Sequence, residues 1–161
     1  MVKCIVEINS STVGSTGRIM FMIAETARKH GFTVYTCSAV HGNEKRIESK
    51  NHIYIGSKLD KKIHLLLAKK TGYNGCFSHF TTAQFLKKID KLQPDLIHFH
   101  NLHNCYINLP MLFDYVKKKN IPVVWTLHDC WAYTGHCPYY DFVHCNKWMT
   151  GCYDCPQTAK Y

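Results

Sequence analysis

Apolar and polar positions along this chain alternate between two spacings. Short apolar runs cover Lys3 to Ile8, Phe32 to Val40, His52 to Ile55, Asp95 to His100 and the stretch opened by Pro122 that ends at Leu127. Each is bounded by polar or glycine-containing segments and has the length of a buried strand. Between them the apolar residues recur every three or four positions. Ile19, Met22, Ile23 and Thr26 to Ala27 make one such stripe, and Phe85, Leu86, Ile89 and Leu92 a second. Leu109, Leu112, Phe113 and Val116 make a third, and an amphipathic run extends through Lys70. That spacing predicts helices with one face turned to a core.

The local signals agree with that division. Ser15 or Thr16 is placed to cap the first helix, and Gly31 to end it in the left-handed conformation. Ser57 to Asp60 and Thr81 to Gln84 fit capping boxes, and Asn108 followed by Pro110 opens the last helix. Strands alternating with helices call for a parallel sheet covered on both faces. The expected fold is therefore α/β, a Rossmann-like parallel sheet in one domain over residues 1–161. The residues after Leu127, taken as a Cys-rich irregular segment over 128–161, show no periodicity. They are too many for a plain loop, which points to function or cross-bracing.

Composition narrows the setting. The chain has 161 residues, 46% hydrophobic and 19% charged, enough for a globular core. No apolar run approaches the roughly 18 to 20 residues that span a bilayer. Four of the nine cysteines, Cys4, Cys37, Cys76 and Cys105, are scattered singly. In a reducing compartment such residues serve as small core hydrophobes, so a cytoplasmic location is expected. A formal charge of +9 favours anionic partners, among them phosphates, acidic lipids and nucleic acids.

In an open parallel sheet, ligands bind beyond the carboxyl ends of the strands. Three segments fall there. The loop NSSTVGSTGR offers Gly14, Ser15, Thr16 and Gly17 for close backbone approach at a helix amino terminus, with Arg18 as a fixed charge, a combination that suits a diphosphate. The same glycines equally fit an ordinary turn. The segment HFHNLHN puts His98 and His100 on one side of a strand, with Asn101, His103 and Asn104 in the loop beyond. His98 reads as structural, and the others as candidate ligand contacts. The third segment begins at His128 and Asp129, where a buried apolar strand would present an imidazole and a carboxylate to a hydroxyl-rich substrate as base, donor or electrostatic contact.

Beyond them, Cys137, Cys145, Cys152 and Cys155 cluster, with a CxxC as one half. A tetrahedral zinc site, buried thiols and redox-sensitive disulfides are the three readings of that pattern. Cys130 reads as a packing residue. Two lysine-rich helices, with Lys58, Lys61, Lys62, Lys69 and Lys70 and then Lys87, Lys88 and Lys91, read as solvated faces. The interleaved Leu65, Leu66 and Leu67 leave peripheral attachment to acidic lipid open.

The run VVWTLHDCWAYTGHCPYYDFVHCNKWMTGCYDCP, with HFHNLHNCYINLP and NSSTVGSTGRI, resembles the amino-terminal domain of bacterial GT-B glycosyltransferases of the family-four type, including those of colanic acid and other surface polysaccharides. The resemblance implies an acceptor-side domain whose partner domain, which grips the nucleotide sugar, is not encoded in these residues. Alone, this chain is then not expected to turn over. It also implies a retaining hexosyltransferase without an obligatory catalytic cofactor, acting in the cytoplasm or at the inner face of the membrane. Its substrates would be a nucleotide-sugar donor and a glycan or lipid-linked acceptor. In this scheme Gly14 to Arg18 approach the donor diphosphate, His128 and Asp129 act at the reacting centre, and His100, Asn101, His103 and Asn104 line the acceptor side. The rival classes are a zinc-braced basic module for nucleic acid, disfavoured because Lys and Arg are thin in the Cys-rich segment, and a truncated interaction protein without catalysis.

Overall fold

The structure, a computed structural model, describes residues 3–40, 46–134 and 137–156. Parts of the Cys-rich segment (135–136 and 157–161) lie outside them. The chain divides into two compact units, Met1–Thr126 and Leu127–Tyr161.

The first unit is a parallel sheet of five strands, β1 (Cys4–Asn9), β2 (Thr33–Ala39), β3 (His52–Ile55), β4 (Leu96–Phe99) and β5 (Val123–Trp125), in the order β3-β2-β1-β4-β5. Among the described residues four α-helices accompany them: α1 (Gly14–Lys29), α2 (Lys58–Thr71), α3 (His79–Leu92) and α4 (Leu109–Lys119). The α/β alternation read from the sequence is thus the observed architecture.

The two faces of the sheet differ in chemistry. Val6, Ile8, Cys37, Ala39, Ile55, Ile97 and Phe99 pack with Phe85 and Ile89 of α3 and Leu112 and Val116 of α4 into the main hydrophobic core. Residues of opposite parity, Glu7, Asn9, Thr36, Ser38, His98 and His100, are buried on the other face. The register sets Glu7 between Thr36 and His98. His52 continues this polar row, its Nδ1 2.8 Å from Thr36 Oγ1 and its Nε2 3.2 Å from Ser38 Oγ. Burial pulls the His52 pKa down to about 4.

Caps fix the helix starts that bear on the site. The Ser57 side chain accepts from the Asp60 amide at 3.1 Å, and Asn108 Oδ1 accepts from the Met111 amide at 3.0 Å. Helix α1 ends as expected, with Gly31 at φ +84° and the Schellman pair Phe32 N–H to Ala27 O and Gly31 N–H to Arg28 O.

Four local expectations are corrected. Helix α1 begins at Gly14 behind Val13, with no side-chain cap, so Ser15 and Thr16 lie within its first turn. Its buried stripe is Gly17, Met20 and Ala24, which leaves Ile19 and Met22 exposed. Small residues there let the helix lie close, and the bulkier stripe was the wrong guide. Helix α3 begins at His79 behind a left-handed Ser78, because the Thr81 hydroxyl is spent on Asp60 Oδ2 at 3.0 Å and Ser78 O. The strand expected to run buried to Leu127 is only three residues long and, among the described residues, pairs with β4 alone. Val123 and Val124 are 40% and 46% exposed, so this apolar run is an edge strand, and no buried strand delivers His128.

Candidate functional site at the β1/β4 switch point

The chain leaves β1 toward β2 on one side and leaves β4 toward β5 on the other. The strand order therefore reverses between β1 and β4, which opens a crevice at their carboxyl ends. Two loops meet there, the one entering α1 and the one following β4.

Beneath the crevice lies a buried ionic cluster. Glu7 Oε2 is 2.8 Å from His100 Nε2 and 3.0 Å from His98 Nδ1. The two rings lie 4.3 Å apart between centroids. Burial pushes the Glu7 carboxyl toward neutrality, but hydrogen bonds from His100 and His98 outweigh it and hold its pKa below the ordinary glutamate value. An ionised carboxylate only accepts, so the ring nitrogens facing it carry hydrogens. His98 Nε2 is anchored by Thr126 Oγ1 at 2.8 Å, and the Trp125 indole donates to the His100 carbonyl at 2.9 Å.

Asn9 ties the two loops together. Its Oδ1 accepts from the Asn101 amide at 3.2 Å, while Nδ2 donates to Ser11 O at 2.9 Å and to Thr16 Oγ1 at 3.3 Å. Asn104 Nδ2 reaches across to Ser10 Oγ at 3.1 Å, and Tyr106 Oη donates to Asn101 O at 2.9 Å. Asn104 and Cys105 are consecutive residues at φ +84° and +55°, a strained turn that these bonds hold in place.

Above this brace α1 begins. Its first turn carries no side-chain cap from Val13 and no acidic residue, so its positive dipole end suits an anion. Gly17 allows the close approach: a Cβ there would stand 2.5 Å from the Thr12 carbonyl carbon.

The sequence-derived candidates divide accordingly. Gly14, Ser15, Thr16, Gly17 and Arg18 form the opening turn of α1, and Asn101, His103 and Asn104 lie in the opposing loop. His100 is 1% exposed and held by Glu7, so in this state its ring braces the loop from below. Sequence reasoning missed Glu7 and Asn9. A lone carboxylate inside the apolar run KCIVEIN was the available signal, since buried acids are rare unless paired.

The second unit, by itself, is irregular, with 3-10 turns at Tyr140–Val143 and Lys147–Met149. His128 and Asp129 are half-buried within it, and Asp129 Oδ1 accepts from the Trp131 amide at 3.0 Å. Cys137, Cys145, Cys152 and Cys155 all line one cavity of about 20 Å³. Cys137 and Cys145 are half-buried and Cys152 and Cys155 exposed, so none of the four is a buried core thiol. Among the described residues, only Glu7, His98 and His100 bring three ligating atoms within 4.8 Å of one another. That trio is a candidate metal centre by composition, yet its hydrogen bonds already account for it.

Comparison with known proteins agrees with this architecture. Residues 16–153 match the model of Glycosyltransferase Family 4. A 73-residue stretch is 41% identical to the putative colanic acid biosynthesis glycosyl transferase WcaC of Escherichia coli (strain K12). That alignment takes in 42% of this chain and 18% of the relative's length. With most of its length matched by the family model and the sheet to go with it, the chain belongs to glycosyltransferase family 4.

Proposed function

We propose that this chain is the acceptor-side part of a retaining, nucleotide-sugar-dependent hexosyltransferase in surface polysaccharide assembly. One observation carries the reading: an uncapped helix amino terminus, free of acidic residues, stands at the switch point and is braced by Asn9, Asn101, Glu7 and His100. Cleaving a glycosyl phosphate bond builds negative charge on the departing diphosphate. First-turn amides and Arg18 directed at that charge stabilise the transition state more than the ground state. The bracing matters because preorganised donors need no rearrangement as the charge develops. The loop of Asn101, His103 and Asn104 is assigned to the acceptor. The roles of His128 at the transferred sugar and Asp129 beside it rest on the family resemblance, and no catalytic cofactor is invoked.

Peripheral membrane contact, suited to a lipid-linked acceptor, is supported by α2. Leu59, Ile63 and Leu66 share one helical face and are 66%, 50% and 67% exposed, with Lys58, Lys62, Lys69 and Lys70 around them. The nucleic-acid rival loses support, because the only Lys or Arg among the described residues after Leu127, Lys147, is engaged with the carbonyls of Tyr153 and Asp154.

Calorimetric titration of the chain with nucleoside diphosphate sugars and with a short duplex, each at two salt concentrations, tests the assignment. Saturable sugar-nucleotide binding that weakens in Arg18→Ala is expected. Steeply salt-dependent duplex binding without sugar-nucleotide binding would replace it with the nucleic-acid reading.

A further inference from the structure

We infer that Cys137, Cys145, Cys152 and Cys155 form a structural zinc site that organises the Leu127–Tyr161 unit. Three independent features of that unit converge on a metal. First, among its described residues none is fully buried, and the only regular elements are two 3-10 turns. A unit whose described residues are at best half-buried, around the aromatic contacts of Tyr133, Tyr140 and Trp148, gains little apolar burial against its own conformational entropy, and small units of this kind are held by a staple.

Second, the four cysteines line the same cavity, whose 20 Å³ is close to what a single water-sized occupant needs. Asp154, between Cys152 and Cys155, is left-handed at φ +44°, and Gly151 precedes the pair at φ +147°. This tight turn has the two-residue spacing of a zinc knuckle.

Third, the surroundings suit bound thiolates. Trp148, which lines the cavity, has a buried Nε1 donor without a hydrogen-bond partner, and a thiolate would supply the acceptor it lacks. Lys147 also lines the cavity. Its ammonium is tied to Tyr153 O at 3.0 Å and Asp154 O at 2.7 Å, within the CxxC turn, a positive charge that would offset the net negative charge of a tetrathiolate zinc centre. The sulfurs stand wider than a closed coordination sphere. Metal binding therefore draws them together, releases the thiol protons and couples occupancy to the order of the unit. Exposed Cys152 and Cys155 exclude the packing role that suits Cys37 in the core.

The test uses the full chain purified without chelator. Elemental analysis is expected to find about one zinc per chain. Cobalt reconstitution is expected to give intense tetrahedral d–d bands with thiolate charge transfer. Cys152→Ser with Cys155→Ser abolishes both signals, whereas Cys130→Ala and Glu7→Gln retain them. Absence of zinc overturns the site. So do zinc that survives the double substitution, zinc that leaves with Glu7→Gln, or thiol counting that finds the four cysteines paired as disulfides. The cobalt spectrum of the unsubstituted chain decides even if the variants misfold. None of these readouts involves sugar, so failure here is separable from failure of the glycosyltransferase assignment.

Discussion

Replacing Gly17 by alanine separates the site's geometry from the stability of the fold. The new Cβ would lie 2.5 Å from the carbonyl carbon and 2.7 Å from the carbonyl oxygen of Thr12, and 3.2 Å from Ser11 O. These are backbone atoms, so the loop must retreat by roughly 1 Å to reach ordinary van der Waals separation. The cost of such overpacking, about 1–3 kcal/mol, is partly offset by the roughly 1 kcal/mol gain in helix propensity of Ala over Gly. Net destabilisation is then about 0–2 kcal/mol, a fall in Tm of a few degrees. The site suffers more, because Ser11 O is a partner of Asn9 Nδ2, and a displacement of about 1 Å in a positioning element costs about 100-fold in the rate of a catalysed reaction, with weaker ligand binding alongside. Gly31→Ala is the control. It lies at the far end of α1 with φ +84° and open space around it, so it strains the backbone without touching the loop. Thermal melts and calorimetric titration with a nucleoside diphosphate sugar read the two effects. Similar melting losses with weakened binding only in Gly17→Ala are expected. Unchanged binding in Gly17→Ala would refute the role of the loop.

Other outcomes follow from the polar face. Glu7→Gln is expected to cost about 1.5–3 kcal/mol in urea unfolding, and Glu7→Ala about 3–5 kcal/mol because both histidines lose their acceptor. Because its folded pKa lies below the ordinary glutamate value, the stability Glu7 provides is full above that ordinary value and lost as pH falls through the lower folded pKa. The Gln variant should flatten the acid limb. His52 acts at higher pH: with a folded pKa of about 4 against 6.5 unfolded, stability should decline as pH falls from about 6.5 to about 4. His52→Gln should remove that slope in pH-dependent denaturation. Asn108→Ala removes the α4 cap and the 2.7 Å bond from Nδ2 to the Cys76 carbonyl, so a loss of about 2–4 kcal/mol is expected by the same measurement.

Element type was legible where the period was long and the cap chemistry local, as at Ser57, Asn108 and Gly31. It failed where tertiary contacts reassigned a cap, as Asp60 does with Thr81, or where small residues carried a packing face, as Gly17 and Ala24 do. The run from Val123 could not reveal from its composition that it sits at a sheet edge, since edge and centre differ only in their neighbours. At the site, the glycine loop and the Asn-rich loop were legible as separate motifs. Their joining through Asn9 and Glu7 was not, because it depends on β1 and β4 becoming neighbours across about 90 residues of sequence. The cysteine spacing showed a cluster, while its shared cavity and the lack of buried residues around it came only with the fold.

The most direct test of the switch-point site is amide-resolved NMR of the full chain titrated with a nucleoside diphosphate sugar. The largest shifts are expected at Gly14 to Arg18 and then at Asn101 to Asn104. Shifts confined to the lysine-rich helices, or a response that leaves the first turn of α1 untouched, would contradict the assignment.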